Sequence, residues 1–467
     1  MASRSLQAQM SGIEVTGQNL SNVNTTGYSR QTVQITSSPD LVTSIGPEGT
    51  GADATSIQQV VSSLLNNQIQ SQNSTSGYWN GQQTGLQTAQ DAMDEFLNGA
   101  GSTDSTSSST STSTSDTGLD GQLSALFSAF SGVATSPTSV AARQSLVAQA
   151  QTVATSFNNI STKLDAVKTA LNSSLSDGVT SANQLLTQIA TLNSQITTAQ
   201  QTGGNANDLK DAREQDLENL SQLTNITTSS GSNGTVNVTI GGQTLVSGNT
   251  VDDTLQTYDP GNGGLLVQTA TGQVNLTLTG GSMAGTIDAR DGTLATLQAN
   301  VNTLASSLIT QVNTISGNGY GLTGTTGNNL FNGTNASTIT VNQALVDNPS
   351  LVQASGSATN TGDNSVALQL ADLATATQSS LNNQTFTGSY NASVDTLGAA
   401  LQDANSQVTD QTKVNDMLST QRGSVSGVNV DEEMTNMMTF QRAYQASAQV
   451  VTTVNTMFGD LLAMKTS

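Results

Sequence analysis

The chain contains neither cysteine nor histidine in its 467 residues. The absence of cysteine excludes disulfides and thiolate chemistry and leaves the redox compartment open. The absence of histidine excludes a Ser-His-Asp triad and removes the commonest protein ligand of transition metals. These two absences argue against an enzyme, and no cofactor or metal is expected.

Basic and aromatic residues are also scarce. There are 12 Lys and Arg against 33 Asp and Glu, a net charge of -21, and aromatics make up 3% of the chain. Such a charge argues against nucleic acid and anionic membranes as partners. No stretch approaches the roughly 18 apolar residues of a membrane span, and the N-terminus lacks the apolar core of a secretory signal peptide. The composition suits a soluble, exportable structural protein.

The C-terminal stretch, residues 429–465, has the clearest pattern. Asn429 is predicted to cap a helix with Glu432 reaching back to it, and three carboxylates at 431–433 suit the positive end of the helix dipole. Apolar residues then follow at spacings of three and four, with Ser447 as the polar exception, which predicts a coiled-coil seam. The seam residues are Met437, Phe440, Tyr444, Val451, Val454, Phe458 and Leu461.

A matching half-seam lies at the N-terminus. Its residues are Leu6, Met10, Ile13 and Leu20, with Gly17 at the missing position. The sequence predicts that this helix ends around residues 22–27, pairs with the C-terminal seam and is followed by a short strand at 28–35. Glycines weaken the helix by about 1 kcal/mol each, so we expect the ends to be loose in the monomer and to order on assembly.

The middle of the chain predicts a helical bundle. A helical pattern runs from Ile57 to Leu97, a long seam follows Pro137, and a separate helix is predicted after it. The long seam comprises Leu146, Ala150, Val153, Phe157, Ile160, Leu164, Val167 and Leu171. The separate helix comprises Leu185, Ile189, Leu192, Ile196 and Ala199. Residues 101–118 are almost pure Ser and Thr and predict a flexible loop, the alternative being a glycosylated or adhesive tether.

From residue 229 the period changes to two, which predicts an inserted β-rich domain. A hairpin turn is expected at Gly241-Gly242, and Val274, Leu276 and Leu278 predict a further strand. The predicted fold is mainly α with inserted β-rich domains, a terminal coiled coil and a central bundle of long helices. The predicted domains are 1–40 with 424–467 (coiled coil), 41–228 with 286–316 and 365–423 (bundle), 229–285 (β-rich) and 317–364 (a second irregular or β insertion).

Motifs that carry chemistry do not fit their context. Residues 319–324 match a dinucleotide fingerprint by letter but follow a predicted helix and open none. Asp288, Arg290 and Asp291 are expected to form a local surface ion pair of about 0–1 kcal/mol. The acidic residues 431–433 point in different directions on a helix, so cap and dipole roles are expected rather than a metal or catalytic cluster.

The terminal motifs resemble those of the flagellar rod, hook and hook-associated proteins. Residues 16–30, Thr-Gly-Gln-Asn-Leu-Ser-Asn-Val-Asn-Thr-Thr-Gly-Tyr-Ser-Arg, look like the N-terminal signature of that family, and 427–433 with 440–444 look like its C-terminal signature. Residues 28–31 point to the hook-associated members. The signature residues are Asn19, Asn22, Gly27, Tyr28 and Arg30. Thr26 stands where the family usually has proline, and the family leads us to expect more apolar residues before Leu6.

The resemblance implies a structural adaptor of the bacterial flagellum at the hook–filament junction. The family is exported through the flagellar channel and is extracellular. Implied partners are further copies in a ring or tube, the hook protein, the second junction protein and an export chaperone on the C-terminal helix. We expect both seams to form the chaperone surface first and the subunit interface later.

Two other classes remain open. A flagellin or a second junction protein shares seamed termini, and a surface adhesin would use the Ser/Thr tract and the β insertions. A junction protein predicts bare hooks in a deletion strain, whereas an adhesin predicts that trimming the termini leaves function intact.

Overall fold

A computed structural model describes residues 1–43, 46–97 and 118–466. Its helices are α1 (Ala2–Ser21), α2 (Ser63–Leu97), α3 (Leu119–Thr135), α4 (Val140–Gln201), α5 (Asn207–Leu223), α6 (Gly281–Asp288), α7 (Ala295–Ser316), α8 (Gln343–Asp347), α9 (Ser365–Asp372), α10 (Phe386–Ser426) and α11 (Val430–Thr466). A π-helical segment, Ala289–Leu294, joins α6 to α7. The fold is mainly α with inserted β elements, as the sequence predicts.

The strands form small antiparallel sheets. They are β1 (Gln31–Ser37), β2 (Leu41–Thr43), β3 (Gly46–Glu48), β4 (Ala52–Gln59), β5 (Ile226–Ser230), β6 (Val236–Ile240), β7 (Gln243–Ser247), β8 (Thr250–Val251), β9 (Leu255–Tyr258), β10 (Leu266–Thr269), β11 (Phe331–Asn332) and β12 (Thr340–Val341). Strands β5 to β8 make a four-stranded sheet in sequence order, and the others pair as β1-β4, β2-β3, β9-β10 and β11-β12.

The largest core lies in the helical bundle, where α2, α3, α4, α7, α9 and α10 bury apolar residues together. Every residue of the long seam predicted for α4 is buried, from Leu146 to Leu171. Phe127 and Phe386 pack with ring centroids 5.8 Å apart and join α3 to α10. The 3-4 spacing therefore identifies this core correctly.

The break predicted within α4 is absent, because α4 runs uninterrupted from Val140 to Gln201. The segment between the two predicted helices holds no proline, and its buried stripe continues through Leu175, Val179 and Ala182. At Gly178 the helix packs closely on α6, since a Cβ there would lie 2.9 Å from Met283 Cγ. The helix is roughly 90 Å long at its usual rise.

The helical pattern predicted from Ile57 is wrong at its start. Residues 52–59 form β4, which pairs with β1 in register from Gln31 with Gln59, and α2 begins only at Ser63. The apolar residues at 57, 60 and 61 fit a helical spacing, but pairing with β1 makes the chain a strand up to Gln59. The hairpin also crosses residue 40, where the first predicted domain ends.

The inserted β domain has its own core, shared with the second half of α4 and with α5. The predicted turn is confirmed: Gly241 and Gly242 both have positive φ, 54° and 83°, as a primed hairpin requires. The strand predicted at 274–278 is wrong. That segment is irregular apart from one bridge between Gln268 and Asn275, although Leu276 is buried.

The second insertion is not separate from the bundle. Leu330, Phe331, Ile339 and Leu345 join the bundle core, and only the two-residue strands β11 and β12 are regular β structure there. The Ser/Thr loop predicted at 101–118 lies outside the described residues except for Gly118. None of the described helices is long and apolar enough to span a membrane.

Candidate subunit interface at the paired terminal helices

The terminal helices α1 and α11 lie antiparallel in a single register. Three contacts set that register: Ser5 with Ser447, Gly12 with Phe440, and Asn19 with Glu433. The contacts recur every seven residues on each helix, which is the repeat of a coiled coil. The predicted pairing of the two ends is therefore present in the structure.

The stripe of α1 that faces its neighbours is not the predicted one. The buried residues of α1 are Ala8, Gly12, Val15, Thr16 and Asn19. Met10, from the predicted half-seam, is 53% exposed, and Leu6, Ile13 and Leu20 are only partly buried. Because α1 packs against α11 and also against β1 and β4, its contact faces use small residues that allow close approach.

Gly12 makes the closest approach. A Cβ at this position would lie 2.7 Å from Cδ1 and Cε1 of Phe440, closer than real Cβ contacts occur. The Phe440 ring therefore occupies the space that any larger residue at position 12 would need. The glycine that weakens α1 as an isolated helix is the residue that admits the aromatic ring of α11.

Asn19 is the centre of a buried polar network. Its Nδ2 donates to Gln31 O at 2.8 Å and to Glu433 Oε2 at 3.0 Å, and its Oδ1 accepts from Gln31 N and from Tyr28 Oη, both at 2.9 Å. An amide has two donors and two acceptor positions, so Asn19 is fully satisfied. Burial, with the nearby Asp208, Asp211 and Glu433, raises the pKa of Tyr28 to about 12. Its hydroxyl therefore stays protonated and donates.

Arg30 holds the start of α11. Its Nε donates to Glu433 Oε1 at 2.8 Å and its Nη2 to Glu432 Oε1 at 2.7 Å. Asn429 caps the helix as predicted, accepting from Asp431 N at 3.0 Å. The predicted contact of the Glu432 side chain back to Asn429 is wrong, because the carboxylates of Glu432 and Glu433 bind Arg30 instead.

The remaining signature residues shape the corner between α1 and β1. Asn22 follows the last turn of α1, where its N–H bonds to Gln18 O and Asn19 O and its Oδ1 accepts from Thr25 Oγ1 at 3.1 Å. Gly27 has φ of +80°, which favours glycine. The signature is therefore a structural motif that turns the chain so that Tyr28 and Arg30 reach Asn19 and α11.

Helix α5 contacts this corner, a role that the sequence did not reveal. Asp211 accepts from Ser29 Oγ at 2.7 Å and Ser29 N at 3.0 Å, and Asp208 Oδ1 accepts from Gln31 Nε2 at 2.9 Å. Asn207 Nδ2 donates to Ile57 O of β4 at 3.0 Å. The concentration of polar residues at 207–218, in a chain with few charges, was the available signal.

A cavity of about 530 Å³ marks the joint between the terminal pair and the bundle. It is lined by the 23–29 loop, α5 and the end of α10. Burial raises the pKa of Glu214 and that of Glu218, and Arg422 forms a salt bridge with Glu218. Within the described residues no group of His, Cys, Asp or Glu is placed to hold a metal ion. The cavity is thus a polar joint between the terminal helices and the bundle, lined mainly by charged, amide and hydroxyl side chains.

Beyond residue 450, α11 extends past α1. Since paired residue numbers sum to 452, Ala2 lies opposite residue 450, and α11 continues to Thr466, roughly 24 Å further. Val454, Phe458 and Leu461 are 44%, 65% and 68% exposed there. The predicted seam residues therefore divide into an inner group near α1, with Met437, Phe440 and Val451 partly covered, and an exposed outer group.

Two regions of the chain match family models of flagellar proteins. Residues 105–331 match the model of the flagellar hook-associated protein FlgK helical domain, and 416–464 match that of the flagellar basal body rod FlgEFG protein C-terminal. The chain is 27% identical to flagellar hook-associated protein 1 of Bacillus subtilis (strain 168), covering 97% of this chain and 94% of the relative. It is 24% identical to the protein of that name from Salmonella typhimurium, covering 98% of each.

The fold is that of a solved flagellar hook junction protein, FlgK from Burkholderia pseudomallei. The TM-score is 0.61 at 20% identity, over 77% of this chain and all of that chain. Fold, paired terminal helices and matches define a flagellar axial protein, and the chain is a structural component of the bacterial flagellum. Within that class, the chain is similar along nearly its whole length to proteins named flagellar hook-associated protein 1.

Proposed function

We propose that this chain is the adaptor at the hook–filament junction, and that α11 beyond residue 450 is its main contact with neighbouring subunits. The observation that carries the proposal is the exposed apolar group Val454, Phe458 and Leu461 in the last turns of α11. The names of the relatives, hook-associated and hook junction proteins, support the same location. The pair α1–α11 packs in the wall of the tube, and the inserted β elements face outward.

The predicted interface residues have two roles in this proposal. Phe440 and Met437 hold α11 on α1, whereas Val454, Phe458 and Leu461 meet other subunits. Met10 of α1 is exposed and belongs with the residues that meet other subunits. Leu6, Ile13, Leu20, Tyr444 and Val451 form the border between the two groups and complete the interface once copies assemble.

The partners are further copies of this chain in a ring, the hook protein on one side and the second junction protein on the other. An export chaperone covers the exposed stripe of α11 before assembly. A single stripe cannot contact chaperone and subunits at once, so chaperone release precedes assembly. An apolar stripe of this kind is the helix-in-groove mode of recognition.

We divide the chain by these roles. Residues 1–59 with 427–467 form the terminal unit, because the β1–β4 hairpin packs on α1. The bundle comprises 60–225 with 281–426, including the second insertion whose apolar residues enter the bundle core. Residues 226–280 form the outward β domain.

The test replaces Phe458 and Leu461 with Asp in a strain that lacks the native protein. We expect motility to be lost, with bare hooks on the cells and filament protein shed into the medium, because two charges block burial of the stripe. Electron microscopy of hooks and analysis of the medium give the result. Chaperone binding by the purified chain should fall in the same variant.

The matched control is Thr456→Asp, which adds a charge at an exposed polar position of the same helix. It should keep both activities. Filaments of normal number on cells that carry the Phe458 and Leu461 double variant would contradict the proposal.

A further inference from the structure

Strand β5 is an open edge of the four-stranded sheet. Its pairing with β6 is antiparallel, and Gly231 N bonds to Thr235 O in line with that register. Backbone groups of antiparallel strands point alternately toward and away from the partner. The N–H and C=O groups of Ile226, Thr228 and Ser230 therefore point away from β6.

The neighbouring strand confirms this alternation. Val236, opposite Ser230, also points its backbone away from its β5 partner, and there Asn193 donates to Val236 O and accepts from Val236 N. On β5 no described residue bonds the corresponding groups of Ile226, Thr228 and Ser230. Three alternate residues of β5 thus present backbone donors and acceptors with no partner in the described part of the chain.

A groove of about 490 Å³ lies along this edge, between β5 and α2. Asn67, Ser71, Ser74 and Thr75 line it from α2, and Thr227 of β5 and the preceding Asn225 line it on the other side. All of its lining side chains are uncharged. It is a slot with an open strand edge on one wall and short amide and hydroxyl side chains on the other.

The two edges of the sheet differ in protection. The opposite edge, β8, is only two residues long and runs into Asp252 and Asp253. Short edges and edge charges are usual devices against strand addition. Strand β5 is longer, Ile226–Ser230, and contains neither charge nor proline.

We propose that β5 receives an extended, uncharged strand from a second copy of this chain, inserted between β5 and α2. Each copy carries a net charge of -21, so two copies approach closely only where their surfaces are neutral. The groove is such a surface, because none of the side chains that line it is charged. Backbone pairing supplies the affinity, as in strand-addition complexes.

The inference rests on the proposed assembly of copies. It assigns the β domain a role in joining subunits at larger radius, beyond the contacts of the terminal helices. In a ring the contact is head-to-tail, so β5 of one copy meets a different element of the next.

Amide hydrogen exchange resolved at single residues tests the proposal. In the free chain, the amides of Ile226, Thr228 and Ser230 should exchange quickly, and those of Thr227 and Ser229, bonded to β6, slowly. In isolated flagella, the three outward amides should slow by roughly tenfold or more. Equal rates in both states would overturn the proposal.

A photo-reactive residue at Thr227, which is exposed, identifies the occupant. A cross-linked product of two copies of this chain is expected, and a product with any other flagellar protein would overturn the assignment. Thr228→Pro, which lacks the outward N–H, should assemble in reduced amount, while Thr228→Val should assemble normally. Failure of the adaptor proposal looks different, since the Phe458 and Leu461 variant would then still carry filaments.

Discussion

The seam of α4 and the seam between α1 and α11 share a heptad-like spacing but are built from different kinds of residue. Along α4 the buried residues are large and apolar, and Phe157 and Val153 are fully buried. Between α1 and α11 the heptad contacts are a hydroxyl pair, a glycine under a ring, and an amide on a carboxylate. The first seam supplies stability through apolar area, and the second supplies register through a few specific contacts.

This difference matches what the two regions do. A bundle must hold its shape, so it buries as much apolar surface as its spacing allows. A terminal pair that also meets other subunits, as we propose, must keep apolar surface outside its own seam. Small and polar residues fill the α1–α11 contact while Met10 stays outside it, and Phe458 and Leu461 are exposed beyond the end of the contact. Specific contacts thus fix the register of α1 on α11, whereas little buried apolar area stabilises the pair.

The largest test of this comparison is Glu433→Ala. Glu433 is 2% exposed and binds both Arg30 and Asn19, so its loss removes the acceptor of Arg30 Nε and one of the two acceptors of Asn19 Nδ2. Removing one member of a buried pair costs about 3–5 kcal/mol. We expect hydrogen exchange along 430–451 to accelerate strongly while the α4 core keeps its protection.

Glu432→Ala is the matched control, since Glu432 binds the same arginine but its side chain is 51% exposed. An exposed pair contributes about 0–1 kcal/mol, so the control should leave exchange along α11 nearly unchanged. Similar effects of the two variants would mean that Arg30 acts only as a surface charge. Glu433 would then not determine how α11 packs on α1.

A smaller effect is expected for Gly12→Ala. The added Cβ meets the Phe440 ring at 2.7 Å, and overpacking of this kind costs about 1–3 kcal/mol. Gly459→Ala is the control, because nothing lies within 4 Å of its Cβ position. Both changes gain up to about 1 kcal/mol of helix propensity.

The difference between these two glycine variants therefore isolates the contact with Phe440. Denaturant unfolding monitored by exchange along α11 gives the measurement. Equal behaviour of the two variants would show that the ring moves aside without loss, and that register does not depend on position 12.

The same contrast explains what could be predicted from sequence. The α4 seam was predicted in full because burial there coincides with hydropathy. The α1 contact was predicted on the wrong stripe because Ser5, Gly12 and Asn19 carry no hydropathy signal, whereas Leu6 and Met10 do. Pairing of the termini was predicted, but its register depends on hydrogen bonds and on ring fit, which spacing does not encode.

The contacts that Arg30 makes with α11, and those that α5 makes with the corner after α1, could not be predicted from the sequence. Arg30 and Glu433 are separated by most of the chain, so only a fold brings them together. The wrong helix at residues 57–61 has a local cause, since a short apolar run fits both periods and the β1 partner decided between them. The sequence therefore predicted elements well and contacts between distant elements poorly.

The smallest expected effect concerns the joint between the two regions, at Glu214. Burial raises the pKa of this carboxyl above its ordinary value, the nearby Glu218 adds to the rise, and the hydrogen bond from Gln70 opposes it. The folded chain therefore binds the proton more tightly than the unfolded chain. The stability from this group is fully present below the ordinary pKa and is lost as pH rises through the raised one.

Glu214→Gln should therefore raise the free energy of unfolding at pH 7 by about 1 kcal/mol and leave it nearly unchanged at pH 4, because the amide keeps the contact with Gln70 without a buried charge. Glu48→Gln, an exposed position with the same change in charge, is the control. Urea unfolding at the two pH values gives the comparison. If Glu214→Gln destabilised the chain at pH 7, the Glu214 carboxylate would stabilise the fold through specific contacts, as Glu433 does. The joint would then resemble the terminal pair rather than the bundle.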